Sequence, residues 1–252
     1  MIIETFNYVY FLVVAFTVLL TVLVYFLLKN KSEKTKIIVL SSISLCNAAF
    51  FFLYKYWLSI DEEFLMINNL EKFNWWSELP LHLCNISMFM IPLGLILKNN
   101  FLKSYAFFIS PICAFMALTF PETAFTNSNI FLLRNIGFYL THILIIVTGV
   151  SIVPLKLYKP SYKGIIAPIA TTGVLATIMF GVNSILRSTV SPEANYFFTH
   201  GTELPILSTF YSICPVPLLY EVFCIFIIVP YCLLLVFIIN LINKMKQNKA
   251  KA

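Results

Sequence analysis

Tyr8 to Leu28 reads YVYFLVVAFTVLLTVLVYFLL, twenty-one residues without a charge, and Lys-Asn-Lys-Ser-Glu-Lys-Thr-Lys follows at residues 29–36. A run of this kind matches the ~20 apolar residues that an α-helix needs to cross hydrocarbon. A secretory signal carries its basic residues ahead of the apolar core. Here the first cation is Lys29, after the core has ended, so this segment reads as a retained span. Six more apolar stretches follow, which places spans at about residues 8–28, 37–58, 79–97, 104–120, 133–155, 164–186 and 216–242. The fourth is the weakest, being short and interrupted by Pro111. Composition agrees, with 60% hydrophobic and 11% charged residues and a mean hydropathy of +0.89. Soluble domains carry about 25% charged residues. The fold class expected is all-α: a single polytopic membrane domain of seven transmembrane helices, residues 1–252, with no loop long enough for a separate folded unit.

Charge orients this stack, because short cytoplasmic loops retain Lys and Arg. Alternating the loops puts 13 of the 17 basic residues on one side, in the clusters around Lys29, Lys98, Lys156 and Lys244. The other side holds Lys55, Lys72, Arg134 and Arg187 with 10 of the 11 acidic residues. The amino terminus is therefore expected outside and the carboxyl terminus in the cytoplasm, in a multi-pass protein of the cell membrane. The formal charge of +6 is spread over short loops and a tail, whereas nucleic-acid binding needs a basic face. No nucleic-acid partner is expected, and no segment identifies a protein partner. The six cysteines lack CxxC spacing, so neither a disulfide framework, a metal site nor a cofactor is indicated. Cys46, Cys113, Cys224 and Cys232 read as small buried hydrophobes.

Intramembrane polar residues face cavities or one another, and here they gather in the outer half. The third span enters as Ser77-Glu-Leu-Pro-Leu-His-Leu-Cys-Asn85. If helical throughout, Glu78, His82 and Asn85 share one face, and Cys84 lies about 200° away from His82. A base for Cys84 then comes from another helix. His142 on the fifth span, about 12 Å deeper than Arg134 by helical rise, is the natural candidate. Asn183 and Arg187 end the sixth span and Glu221 opens the seventh, where Glu221 is placed as a counter-ion for the arginines. Each residue also has a plainer reading: His82 and His142 as hydrogen-bonded helix bridges, Arg134 and Arg187 as cations snorkelling to head groups, Asn85 and Asn183 as interhelical glue. Trp75, Trp76, Tyr54 and Tyr56 read as the outer aromatic belt. The segment at 188–217, with Asn195, His200 and Glu203, is long enough to cap the outer site, and His200 is expected in solvent.

Leu-Pro-Leu-His-Leu-Cys at residues 79–84 resembles the signature of the YwaF family of bacterial integral membrane proteins. The run Phe138-Tyr-Leu-Thr-His-Ile-Leu144 is similar to that family's second histidine segment, and Asn183 with Asn195-Tyr196 to its Asn…Asn-Tyr element. The chain departs from the family after Tyr196, reading Phe197-Phe198-Thr199-His200 where Cys-Arg-Lys-Pro is common. The resemblance implies a compact helical fold distantly related to eukaryotic ether-phospholipid acyltransferases. It further implies that Cys84 is a nucleophile with His142 or His82 as its base. The leading expectation is a lipid acyltransferase or transacylase of the outer leaflet, with phospholipid or lysolipid as partner. Asn85 or Asn183 would donate to the oxyanion, and Arg134 and Arg187 would hold a phosphate. The alternatives are a transporter or substrate-binding subunit for a small anionic solute, with Glu221 among its ligands, and a noncatalytic membrane scaffold.

Overall fold

The apolar runs become helices whose ends are set by polar caps. In the computed structural model, which describes residues 2–120, 129–201 and 204–251, the order is α1 (Tyr8–Leu28), α2 (Glu33–Ser59), α3 (Glu62–Ile67), α4 (Leu83–Ile96), α5 (Asn100–Thr119), α6 (Leu133–Ser151), α7 (Ile166–Thr189), α8 (Pro205–Ile213) and α9 (Ile225–Lys251). Asn7, Ser32, Asp61 and Asn99 each accept a backbone N–H of the helix they precede, which satisfies donors that would otherwise be orphaned in the first turn. The described regular structure is all helical apart from one isolated bridge between Ile2 and Asn129.

Among the described residues, six helical segments are long and apolar enough to cross a membrane. The helix α4 is shorter, at 14 residues, because the expected third span is helical only from Leu83. Pro80 has no N–H to give a helix and pushes Leu79 toward extended backbone. The expected shared face of Glu78, His82 and Asn85 is thereby overturned, since the first two precede the helix and only Asn85 lies on it. The lead-in and α4 together still match the length of α2. Glu78 pairs with Lys55 near the end of α2, and Lys98, just past α4, pairs with Glu33 at its start.

The helices α2, α4, α5 and α6 pack against one another as a central group, with α1 on α6 and α7 on α5. The fourth expected span, far from being peripheral, is α5, which buries twelve of its side chains. Close crossings rest on glycine: a Cβ at Gly137 would lie 2.6 Å from the Tyr54 ring, and one at Gly149 would lie 2.9 Å from Ala106 O. Tyr54 is therefore a buried core residue, 3% exposed, while Trp75, Trp76 and Tyr56 are exposed as a belt requires. Cys46, expected inside, is exposed on α2. The outermost helix, α9, keeps only 11% of its apolar window buried.

Candidate functional site

The non-helical stretch before α4 has backbone groups that need partners, since unpaired peptide groups are costly away from water. The Leu79 N–H donates to the Tyr196 hydroxyl at 2.9 Å, and that hydroxyl donates to Trp76 O at 2.7 Å. Burial pushes the Tyr196 hydroxyl up to about 12, so it stays protonated and able to donate. Asn183 on α7 holds Tyr196 in place: its Oδ1 accepts the Tyr196 N–H at 2.9 Å, and its Nδ2 donates to Tyr196 O at 2.7 Å and to Thr199 Oγ1 at 2.9 Å. Asn195 ties the next residues by accepting the His200 N–H at 3.1 Å and donating to Gly201 O at 2.6 Å. Asparagine has two amide hydrogens, and both of Asn183's are committed. Asn183 is thus a positioning residue and not the oxyanion donor considered from sequence.

Above this clasp, Glu78 faces two cations. Its carboxylate pairs with Lys55 and lies 3.7 Å from Arg134. Lys55 also sits 5.2 Å from the Tyr54 ring centroid, and the Arg134 guanidinium sits 5.4 Å from that of Phe64. Burial pushes the Glu78 carboxyl up, but Lys55 and Arg134 more than offset it and hold it below the ordinary range. The cluster carries a surplus positive charge, and Arg134 keeps part of its fork exposed. Lys55 was missed in the sequence because an isolated lysine near a span end reads as snorkelling.

The break at Pro80 also places Cys84 in the first turn of α4. Its thiol donates to Asn85 Oδ1 at 3.9 Å. The buried Tyr105 of α5 donates to Leu83 O at 3.3 Å, which fixes the same turn. His142 is 4% exposed. Its Nδ1 lies 2.7 Å from Phe138 O, and a carbonyl only accepts, so the neutral ring carries its proton on Nδ1 and leaves Nε2 as the acceptor. That Nε2 is buried with no hydrogen-bond partner among the described residues. His82 caps α4 without a side-chain capping bond. Its ring packs against Tyr196 and Phe198 at 5.2 and 5.3 Å, and it lies within electrostatic reach of His142.

Other expected residues do not join this group. Arg187 donates to Ala194 O at 3.2 Å and braces its own loop. Glu221 pairs with neither arginine, and its buried Oε1 has no partner among the described residues; the counter-ion of Arg134 is Glu78. His200, expected in solvent, stacks on Phe180 at 4.9 Å. Glu203 lies outside the described residues. Nor are polar groups confined to the end of the bundle that holds Glu78, since Ser41 and Ser44 toward the start of α2 and Thr148 and Ser151 at the end of α6 are also buried. Nothing among curated proteins or solved structures matches the chain. A family model does, over residues 3–242, and the chain belongs to the TMEM164 family of multi-pass membrane proteins.

Proposed function

We propose that this protein is a membrane-embedded lipid acyltransferase or transacylase that works through an acyl-enzyme on Cys84. The observation that carries the reading is a buried histidine on α6 whose tautomer leaves Nε2 as a lone-pair acceptor, on a helix packed against α4 with its first-turn cysteine; the thiol donates to Asn85 Oδ1 and has to turn from it to reach that base. His142 Nε2 takes the thiol proton as sulfur attacks the ester carbonyl of a phospholipid. The tetrahedral intermediate collapses to a thioester, and His142 returns the proton to the departing lysolipid oxygen. An acceptor hydroxyl then gives its proton to His142, attacks the thioester and leaves with the acyl group, which restores the thiol. Asn85 and the first-turn N–H groups serve the oxyanion. Arg134, with Lys55 behind it, takes the phosphate. His82, just before α4, is the second candidate base.

The same reading places seven crossings in a cell membrane, with the amino terminus outside and the site in the outer leaflet. It is supported by the lysine-rich flanks and by the match in length between α2 and the segment from Glu78 to Lys98. The test is Cys84→Ser in the purified chain, reconstituted with defined phospholipid and a lysolipid acceptor. Acyl transfer and any hydroxylamine-sensitive adduct are expected to vanish. Full transfer by the variant overturns the nucleophile, and uptake of an anionic solute by both proteins would favour a transporter.

A further inference from the structure

A second feature lies on the opposite side of α6 from His142. Leu140 and Leu144 are each about 200° from His142 by the helical period, and with α2 they border a lateral groove of about 550 Å³. Its walls are apolar, with Val39, Ile43 and Phe50 facing the two leucines. Asn47, also lining the groove, is 1% exposed. Its Nδ2 donates to Thr141 O at 3.0 Å, and since that carbonyl only accepts, the amide orientation is settled by its partner. The Oδ1 is left buried without a partner among the described residues. An unpaired buried acceptor is costly, and a ligand with a hydrogen to donate removes that cost.

Depth decides the class of ligand. Asn47 is ten residues past Ile37 and eleven before Leu58, about 15 Å from each by helical rise, and so near the middle of a ~30 Å hydrocarbon core. Charged head groups are expensive there, and the groove opens sideways among membrane-crossing residues, where lipid is the neighbour. We infer that the groove between α2 and α6 binds an uncharged long-chain alcohol, whose chain lies along Ile43 and Leu144 and whose hydroxyl donates to Asn47. Neither Cys84 nor His142 lines this groove, and the inference does not rest on acyl transfer.

The experiment uses the full chain in nanodiscs and a long-chain alcohol carrying a diazirine and an alkyne, beside its methyl ether, which has no hydrogen to donate. The alcohol is expected to label residues 38–50 or 140–144 about fivefold more than the ether, the ratio for one hydrogen bond of about 1 kcal/mol. Asn47→Leu should bring the alcohol down to the ether's level, and Ser42→Phe, which narrows the groove, should lower both. Should Asn47→Leu fail to fold, competition by unlabelled alcohol against unlabelled ether on the wild-type chain reads the same preference. Equal labelling by the two probes, adducts mapping elsewhere, or Cys46 to Cys46 cross-linking that shows a second copy seated there would each overturn the proposal.

Discussion

Two cations converge on one carboxylate at Glu78, and its removal is the most direct way to weigh the cluster. Lys55 has only 8% of its side chain exposed, and leaving a buried charge unpaired costs about 3–5 kcal/mol. Glu78→Gln should therefore lower the thermal midpoint at neutral pH. The pH dependence follows from the depressed carboxyl. Its contribution to stability is complete above the ordinary value of 4.5 and is lost as pH falls through the lower value of the folded protein. Thermal scans in detergent from pH 7 to 3 should show the wild type losing stability below about 4.5, while Glu78→Gln starts lower and stays flatter through that window. An equally steep acid loss in both would remove Glu78 from the account. Arg134 stood out in the sequence as one of four cations on the acid-rich side. Its true partner did not, because Glu78 was assigned to a continuous helix facing His82.

At the scale of elements, the apolar runs announced the long helices, since hydrophobic length is dictated by the bilayer and survives any detail of packing, but not the short α3 and α8 in the connecting segments. Nor did they announce where α4 begins. Leu79-Pro-Leu-His-Leu-Cys is apolar enough to pass as helix, and hydropathy does not register that Tyr196, more than a hundred residues away, supplies the partner for the Leu79 N–H. The Asn183 clasp was hidden for the same reason: one asparagine reads as glue until the loop at Tyr196 is folded back onto it. Helix contacts pose a sharper test at Gly137, where the added methyl of alanine would sit 2.6 Å from the Tyr54 ring on α2. Overpacking of this kind costs about 1–3 kcal/mol. Gly137→Ala should lower the thermal midpoint, and Tyr54→Leu in the same chain should recover part of the loss. If the double variant is no better than the sum of the single ones, the crossing is not set by this contact.

For the whole molecule, the proposed seven crossings turn on α4, since its 14 residues give only about 21 Å of helix. Four more residues of lead-in at about 3.3 Å each bring the segment to the thickness of the hydrocarbon core. Non-helical backbone is tolerated there because protein groups pair with it. The lysines are consistent with this path. Lys36 donates to Leu155 O and Lys103 to Leu157 O, so the turns after α1, α4 and α6 gather at one end of the bundle. Glu71, on the loop after α3, belongs to the opposite end in this arrangement. Single exposed cysteines read the arrangement directly with a membrane-impermeant maleimide on intact cells. Glu71→Cys is expected to label from outside, whereas Lys31→Cys, Lys98→Cys and Lys159→Cys label only after permeabilisation. Labelling of Lys98→Cys together with Glu71→Cys on intact cells would mean that α4 turns back without crossing. Labelling of Lys31→Cys, Lys98→Cys and Lys159→Cys on intact cells, without Glu71→Cys, would mean that the stack is inverted and that Cys84 lies toward the cytoplasmic leaflet.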